Sequence, residues 1–186
     1  MREPQSIWSY TLATIPLMIL TTLIAIKVLG IHPLTDLGII TSEREGFLSM
    51  QMPHPVVLIG LVFIHELIHL IFIPNFLISD KTSIGITYYG GFVYTEEVLS
   101  KPRYILVSLA PFVLLSIILP GMLNAMDLLN QINQIVNPLF IQAVYLVLLN
   151  AMSSCMDMLS IINILVQVPA GAHIVSNGMK TYWKVN

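Results

Sequence analysis

Long apolar runs alternate with short polar segments along this chain, and the lengths of those runs set the architecture it predicts. Four runs reach the roughly 20 apolar residues that a helix needs to cross a bilayer. They cover residues 11–30, 55–76, 104–126 and 138–168. The fourth is long enough to tilt or bend, and Pro111 and Pro120 predict kinks in the third. Arg2 precedes the first run much as a charge precedes a signal-peptide core. That run is too long for such a core and no A-x-A-like site follows it, so a retained helix is predicted.

The intervening segments differ in character. Residues 31–54 carry Pro33, Gly38, Gly46 and Pro53 among mixed polar residues, which predicts a surface loop with at most one short helix. The TSIGITYYGGFVYT stretch within residues 81–100 is rich in β-branched and aromatic residues and is broken by Gly90 and Gly91. It reads as two short strands with a turn or bulge. One account makes it a connector whose tyrosines anchor at lipid headgroups. The other makes it an exposed edge on which an extended peptide can pair. The expected fold is an all-α integral membrane protein of about four transmembrane helices with a short cytoplasmic β-hairpin-like segment, in one domain over residues 1–186.

Composition agrees with that class. Hydrophobic residues make up 56% of the chain and charged residues 10%, against about 45–50% and 25% in soluble domains. The bilayer is therefore the expected surrounding. A net charge of −2 gives no basic footprint for nucleic acid. Cys155 stands alone and forms no internal disulfide. With the N-terminus inside, Arg2, Lys81, Lys101, Arg103, Lys180 and Lys184 fall on the cytoplasmic side, and Lys27 and Arg44 on the other. The positive-inside rule then predicts a multi-pass cell-membrane protein with both termini in the cytoplasm. The sequence does not define an oligomeric state.

The second run contains HELIH, His65 to His69. Residues i and i+4 of a helix share a face, so the two imidazoles can hold one metal ion. Glu66, one residue along, is placed to take a proton from water on that ion. Charged groups at mid-bilayer are costly, so this turn must face a protein interior or a wet cavity. The bland alternative makes the histidines interhelical hydrogen-bonding groups and Glu66 a protonated packing group.

Asp157 is the one other acid deep in a predicted span, and Asp127 belongs to a helix end. Helical spacing puts Asn150, Ser153 and Asp157 on one stripe with Ser154 at its edge. Counted back from Pro74 and Pro169 at 1.5 Å per residue, the histidines and Asp157 fall in comparable layers. Asn150, Ser153 or Ser154 is a candidate to hydrogen-bond the substrate backbone or a developing oxyanion. His32, His54 and His173 lie near membrane ends, where a solvated or capping role is the default.

HELIH in the second span and NAMSSCMD in the fourth resemble the "putative zincin peptidase" family, similar in design to the site-2 proteases. The KPRYILVSLAPFVLLS run and the PAGAHIVSNG tail match as well, so the resemblance covers residues 55–183. It implies His65 and His69 as ligands, Glu66 as catalytic base and Asp157 as third ligand of a Zn²⁺ ion. Leu70 departs from the glycine such motifs often carry after the second histidine.

The function expected is a zinc-dependent endopeptidase acting on a peptide or membrane protein in or beside the membrane. Two other classes compete with it. A non-catalytic metal-binding scaffold or adaptor has no need of the intact Glu66. A metal-ion carrier needs more than one deep ligand set. Two imidazoles and a carboxylate suit zinc, and also admit cobalt, iron or manganese.

Overall fold

A computed structural model describes residues 7–31, 53–87, 90–135, 137–176 and 181–185. Most of the expected outer loop, and His32 with it, lies outside the described residues. Helix α1 spans Ile7–Leu29 and contains Pro16. Three of its threonines fold their hydroxyls back on the helix: Thr14 donates to Thr11 O at 3.1 Å, Thr21 to Leu17 O at 3.0 Å and Thr22 to Met18 O at 2.7 Å.

Helix α2 spans Pro55–Phe72. Proline suits a first turn because its missing N–H has no intrahelical partner there, and the His54 ring accepts from the Val56 N–H at 3.3 Å. The helix stops short of the expected Phe76. Ile73 precedes Pro74 and is extended, φ −78° and ψ 130°, as the proline ring requires of its predecessor.

Strands β1 (Thr82–Thr87) and β2 (Gly90–Thr95) form an antiparallel hairpin in which Thr87 faces Gly90. The strand change falls at residues 88–89, outside the described residues. Gly90 and Gly91, expected to break the segment, instead open β2. Tyr94 donates a short hydrogen bond to the Glu96 carboxylate, which raises the phenol's pKa above its ordinary value.

The third span begins at Lys101, earlier than expected, with Pro102 in its first turn. It comprises α3 (Lys101–Pro111), a π-helical segment (Phe112–Ile118) and α4 (Leu119–Ala125). The two kinks predicted at Pro111 and Pro120 thus merge into one wide-turned stretch between them. A short helix, α5 (Leu128–Ile135), follows. The fourth span is two helices, α6 (Asn137–Ser153) and α7 (Cys155–Gln167), parted at Ser154.

The all-α expectation needs one correction. Strands β3 (Leu99–Ser100), β4 (His173–Ser176) and β5 (Thr181–Lys184) form a second, three-stranded antiparallel sheet. Leu99 pairs with Ile174, so the tail after α7 returns to the start of α3. Lys101 strengthens the same junction by donating to Val168 O at 2.5 Å, at the C-terminal end of α7.

Among the described residues, four helical stretches are long and apolar enough to cross a membrane: Trp8–Leu29, Pro55–Phe72, Lys101–Ala125 and Leu139–Gln167. Their main core joins α1, the π segment and α6 through Ala25, Leu29, Phe112, Val144, Leu148 and Ala151. Ala25 and Ala151 are fully buried, and such small side chains let helices approach closely without a hydrophobic drive from water. Large apolar side chains also face outward, among them Leu12, Val56 and Val166. That is consistent with a multi-pass membrane protein.

Candidate metal centre

His65 and His69 are the buried residues of α2, one turn apart on its inner face. Asp157, in the first turn of α7, faces both. His65 Nε2 lies 3.3 Å from Asp157 Oδ2, and His69 Nε2 lies 3.4 Å from Oδ1. One ligand atom from each residue falls within 4.8 Å of the others, and the group could bind a metal ion. Among the described residues no other set of three histidines, cysteines or acids meets that condition.

Two features test whether zinc suits this group. Ligands set tetrahedrally at about 2.0–2.1 Å from a zinc ion lie about 3.3–3.4 Å apart, and each imidazole Nε2 stands at that distance from one oxygen of the Asp157 carboxylate, the two rings facing different oxygens. The second test is the proton inventory. His65 Nδ1 is 2.8 Å from Asn150 Oδ1, and His69 Nδ1 is 2.8 Å from Val107 O. Both partners are acceptors only, so each Nδ1 carries the proton and donates. In the neutral rings both Nε2 lone pairs then point at a carboxylate. Three acceptors converging in a buried site make a donor set for a cation, and oriented Nδ1–H groups are the usual outer support of metal-bound histidine.

Asn150 is 1% exposed and spends its whole amide on neighbours. Its oxygen accepts from His65, while Nδ2 donates to Pro111 O at 3.2 Å and to Ser116 Oγ at 2.8 Å. The Ser116 hydroxyl in turn donates to Val147 O at 3.2 Å. The amide expected as a substrate contact is thus occupied in tying α2 to the third span. Ser153 and Ser154 both bond back to Asn150 O, at 2.9 and 2.8 Å. Ser153 lines the central cavity, whereas Ser154 is fully buried and does not reach it.

That cavity encloses about 700 Å³. His65, Glu66, His69 and Asp157 line it, together with Tyr10 from α1 and residues of β2. Gly91 of β2 rests on the HELIH turn. A Cβ built there would stand 2.8 Å from Val62 Cγ1 and nearer still to Glu66 Cγ, so only glycine permits the strand to lie so close. The contact explains why a glycine sits at position 91 of the strand.

Sequence reasoning did not reach the Val107 carbonyl, Ser116 or Gly91 as members of this environment. A main-chain carbonyl leaves no signature of its own, although Pro111 in a helical run marks a freed one. His54 caps α2, as a histidine near a membrane end was expected to do. His173 lies on β4 beside a second cavity of about 460 Å³ with Trp183 and Lys184, away from the metal group.

A family model described as "Putative zincin peptidase" matches residues 58–173, a stretch that contains HELIH, the π segment and Asp157. No curated protein and no solved structure matches the chain.

Proposed function

This chain belongs to the putative zincin peptidase family, and on that premise we propose that it is a zinc-dependent endopeptidase embedded in a membrane, hydrolysing a peptide bond within or beside the bilayer. The observation that carries the reading is the convergence of His65, His69 and Asp157 on one point, with Glu66 on the same wall of the cavity. A zinc ion held there supplies Lewis acidity, polarising the scissile carbonyl and lowering the pKa of attacking water.

The chain's own groups do the rest. The Asn150 and Val107 acceptors hold both imidazoles with Nε2 turned inward. Glu66 takes the proton from water and returns it to the amine that leaves, the ordinary duty of a carboxylate beside a reacting amide. Gly91, Phe92, Val93 and Thr95 of β2 line the same cavity as Glu66, which brings that strand beside the proposed reaction site. Because a helical peptide bond is shielded, the substrate must be extended, and β2 offers the adjacent edge for it by strand addition. The distribution of lysine and arginine supports cytoplasmic termini.

The test sets two substitutions side by side, with zinc content and cleavage of quenched-fluorescent extended peptides measured on each detergent-purified protein. Glu66→Gln keeps shape and zinc, and should lower cleavage by about 10²–10⁴-fold because the amide accepts no proton. Asp157→Asn removes a charged ligand and should lower zinc occupancy and cleavage together. Cleavage unchanged in Glu66→Gln would make the metal structural and the protein a scaffold. Loss of zinc from that variant would make Glu66 a ligand.

A further inference from the structure

His69 is buried, its Nε2 side turned to Asp157, and its Nδ1–H needs an acceptor of its own on the other side. The acceptor it finds is unusual, because a carbonyl inside a helix normally belongs to the N–H four residues on. For Val107 that residue is Pro111, which has no N–H and whose ring pushes the preceding turn's carbonyl away. The next donor along does not replace it, since the Phe112 N–H goes to Leu109 O. The Val107 oxygen is thereby left open on the face that meets α2, and His69 Nδ1 stands 2.8 Å from it.

We propose that Pro111 is a positioning residue for the metal site: by withholding an N–H it frees the Val107 carbonyl, and that carbonyl fixes the His69 ring with Nε2 toward the ion. The need is reciprocal. An unpaired carbonyl among apolar side chains is costly, so the proline creates a vacancy that the histidine fills. Either group alone would be destabilising; together they lock one tautomer and one ring orientation. Pro16 in α1 frees a carbonyl by the same chemistry, but on an exposed stretch of a helix that carries none of the three ligands. It is the natural control. The inference rests on the metal-site reading of His69 and not on peptide hydrolysis.

The experiment compares wild type, Pro111→Ala and Pro16→Ala as full-length protein in detergent. Zinc affinity, the apo protein's thermal midpoint and the ¹⁵N spectrum of labelled histidine are measured for each. Alanine at 111 restores an N–H that competes for Val107 O. Its apo midpoint should stay at or above the wild-type value, because removal of a helix-interior proline outweighs the loss of one acceptor for His69. Its zinc affinity should nonetheless fall by about tenfold or more, and His69 should lose its fixed Nδ1–H tautomer. Pro16→Ala should raise the midpoint as well and leave zinc binding and His69 unchanged.

Wild-type zinc affinity with an unaltered His69 signal in Pro111→Ala overturns the proposal. Weaker zinc binding with a lowered midpoint and an unaltered tautomer also overturns it, by making Pro111 a packing residue. If Pro111→Ala does not fold, the wild-type apo spectrum decides: a protonated, slowly exchanging His69 Nδ1 upholds the bond, and an unprotonated one overturns it. A wild-type protein without zinc affinity refutes the metal reading itself, which these histidine signals distinguish from failure of the inference.

Discussion

The third and fourth spans are both interrupted beside the metal group, and they are interrupted by opposite means. In the third, Pro111 and Pro120 take donors away, and the helix widens into a π segment between them. In the fourth, donors accumulate: Ser153 Oγ, Ser154 Oγ and the Ser154 N–H all converge on Asn150 O, within 2.8–3.0 Å. The first kind of break leaves an acceptor to lend, and His69 uses it. The second kind lends nothing outward and holds its donors on one carbonyl, while the first turn of α7 just beyond it presents Asp157 to both imidazoles. Among apolar side chains every backbone group must find a partner. How a helix is broken therefore decides whether the break lends a hydrogen bond to a neighbour or keeps its hydrogen bonds to itself.

Asn150 joins the two breaks, and removing it should have the largest effect. Asn150→Ala strands His65 Nδ1 and Pro111 O and deletes the Ser116 contact. Zinc affinity should fall by about 10–100-fold, with folding stability lower by on the order of 3 kcal/mol. Zinc titration and thermal unfolding in detergent check both. Wild-type zinc affinity in this variant would show that the breaks act independently.

Gly91→Ala probes what neither break controls, the seating of β2 on the HELIH turn. The added methyl must displace Glu66 or lift the strand, so cleavage should fall by roughly 10–100-fold while zinc is retained. Zinc lost in parallel would place β2 among the supports of the ligands. The smallest effects belong to the serines. Ser154→Ala, at a sealed position, should cost about 1 kcal/mol in thermal unfolding, and Ser153→Ala, facing the cavity, less. Equal losses would mean that the crowded carbonyl, and not burial, sets their worth.

The four spans were legible because run length alone carries that information, and prolines then fixed several of the ends. Pro55 starts α2, and Pro74 ends it four residues before hydrophobicity does, because the constraint on Ile73 is steric and local. His65 and His69 were legible from helical spacing, and Asp157 from the cost of a deep carboxylate. The second sheet was not. Its strands are two to four residues long and join Leu99 to Ile174, far apart in sequence, so no local pattern announces them. The duty of Asn150 was hidden for a different reason. A primary amide satisfies many neighbours, and spacing places it without saying which of its two ends meets which.

Those two ends have a consequence for what else the position can hold. The amide has a polarity: a carbonyl toward His65 and an amino group toward Pro111 O and Ser116 Oγ. Aspartate, its nearest isostere, sets an acceptor against the Pro111 carbonyl and answers a question about donors with a charge. Leucine matches the volume and abandons every polar neighbour. Glutamine keeps both ends but carries them a methylene too far. A side chain read in one direction by two helices has almost no synonyms, and position 150 is where this fold's vocabulary is narrowest.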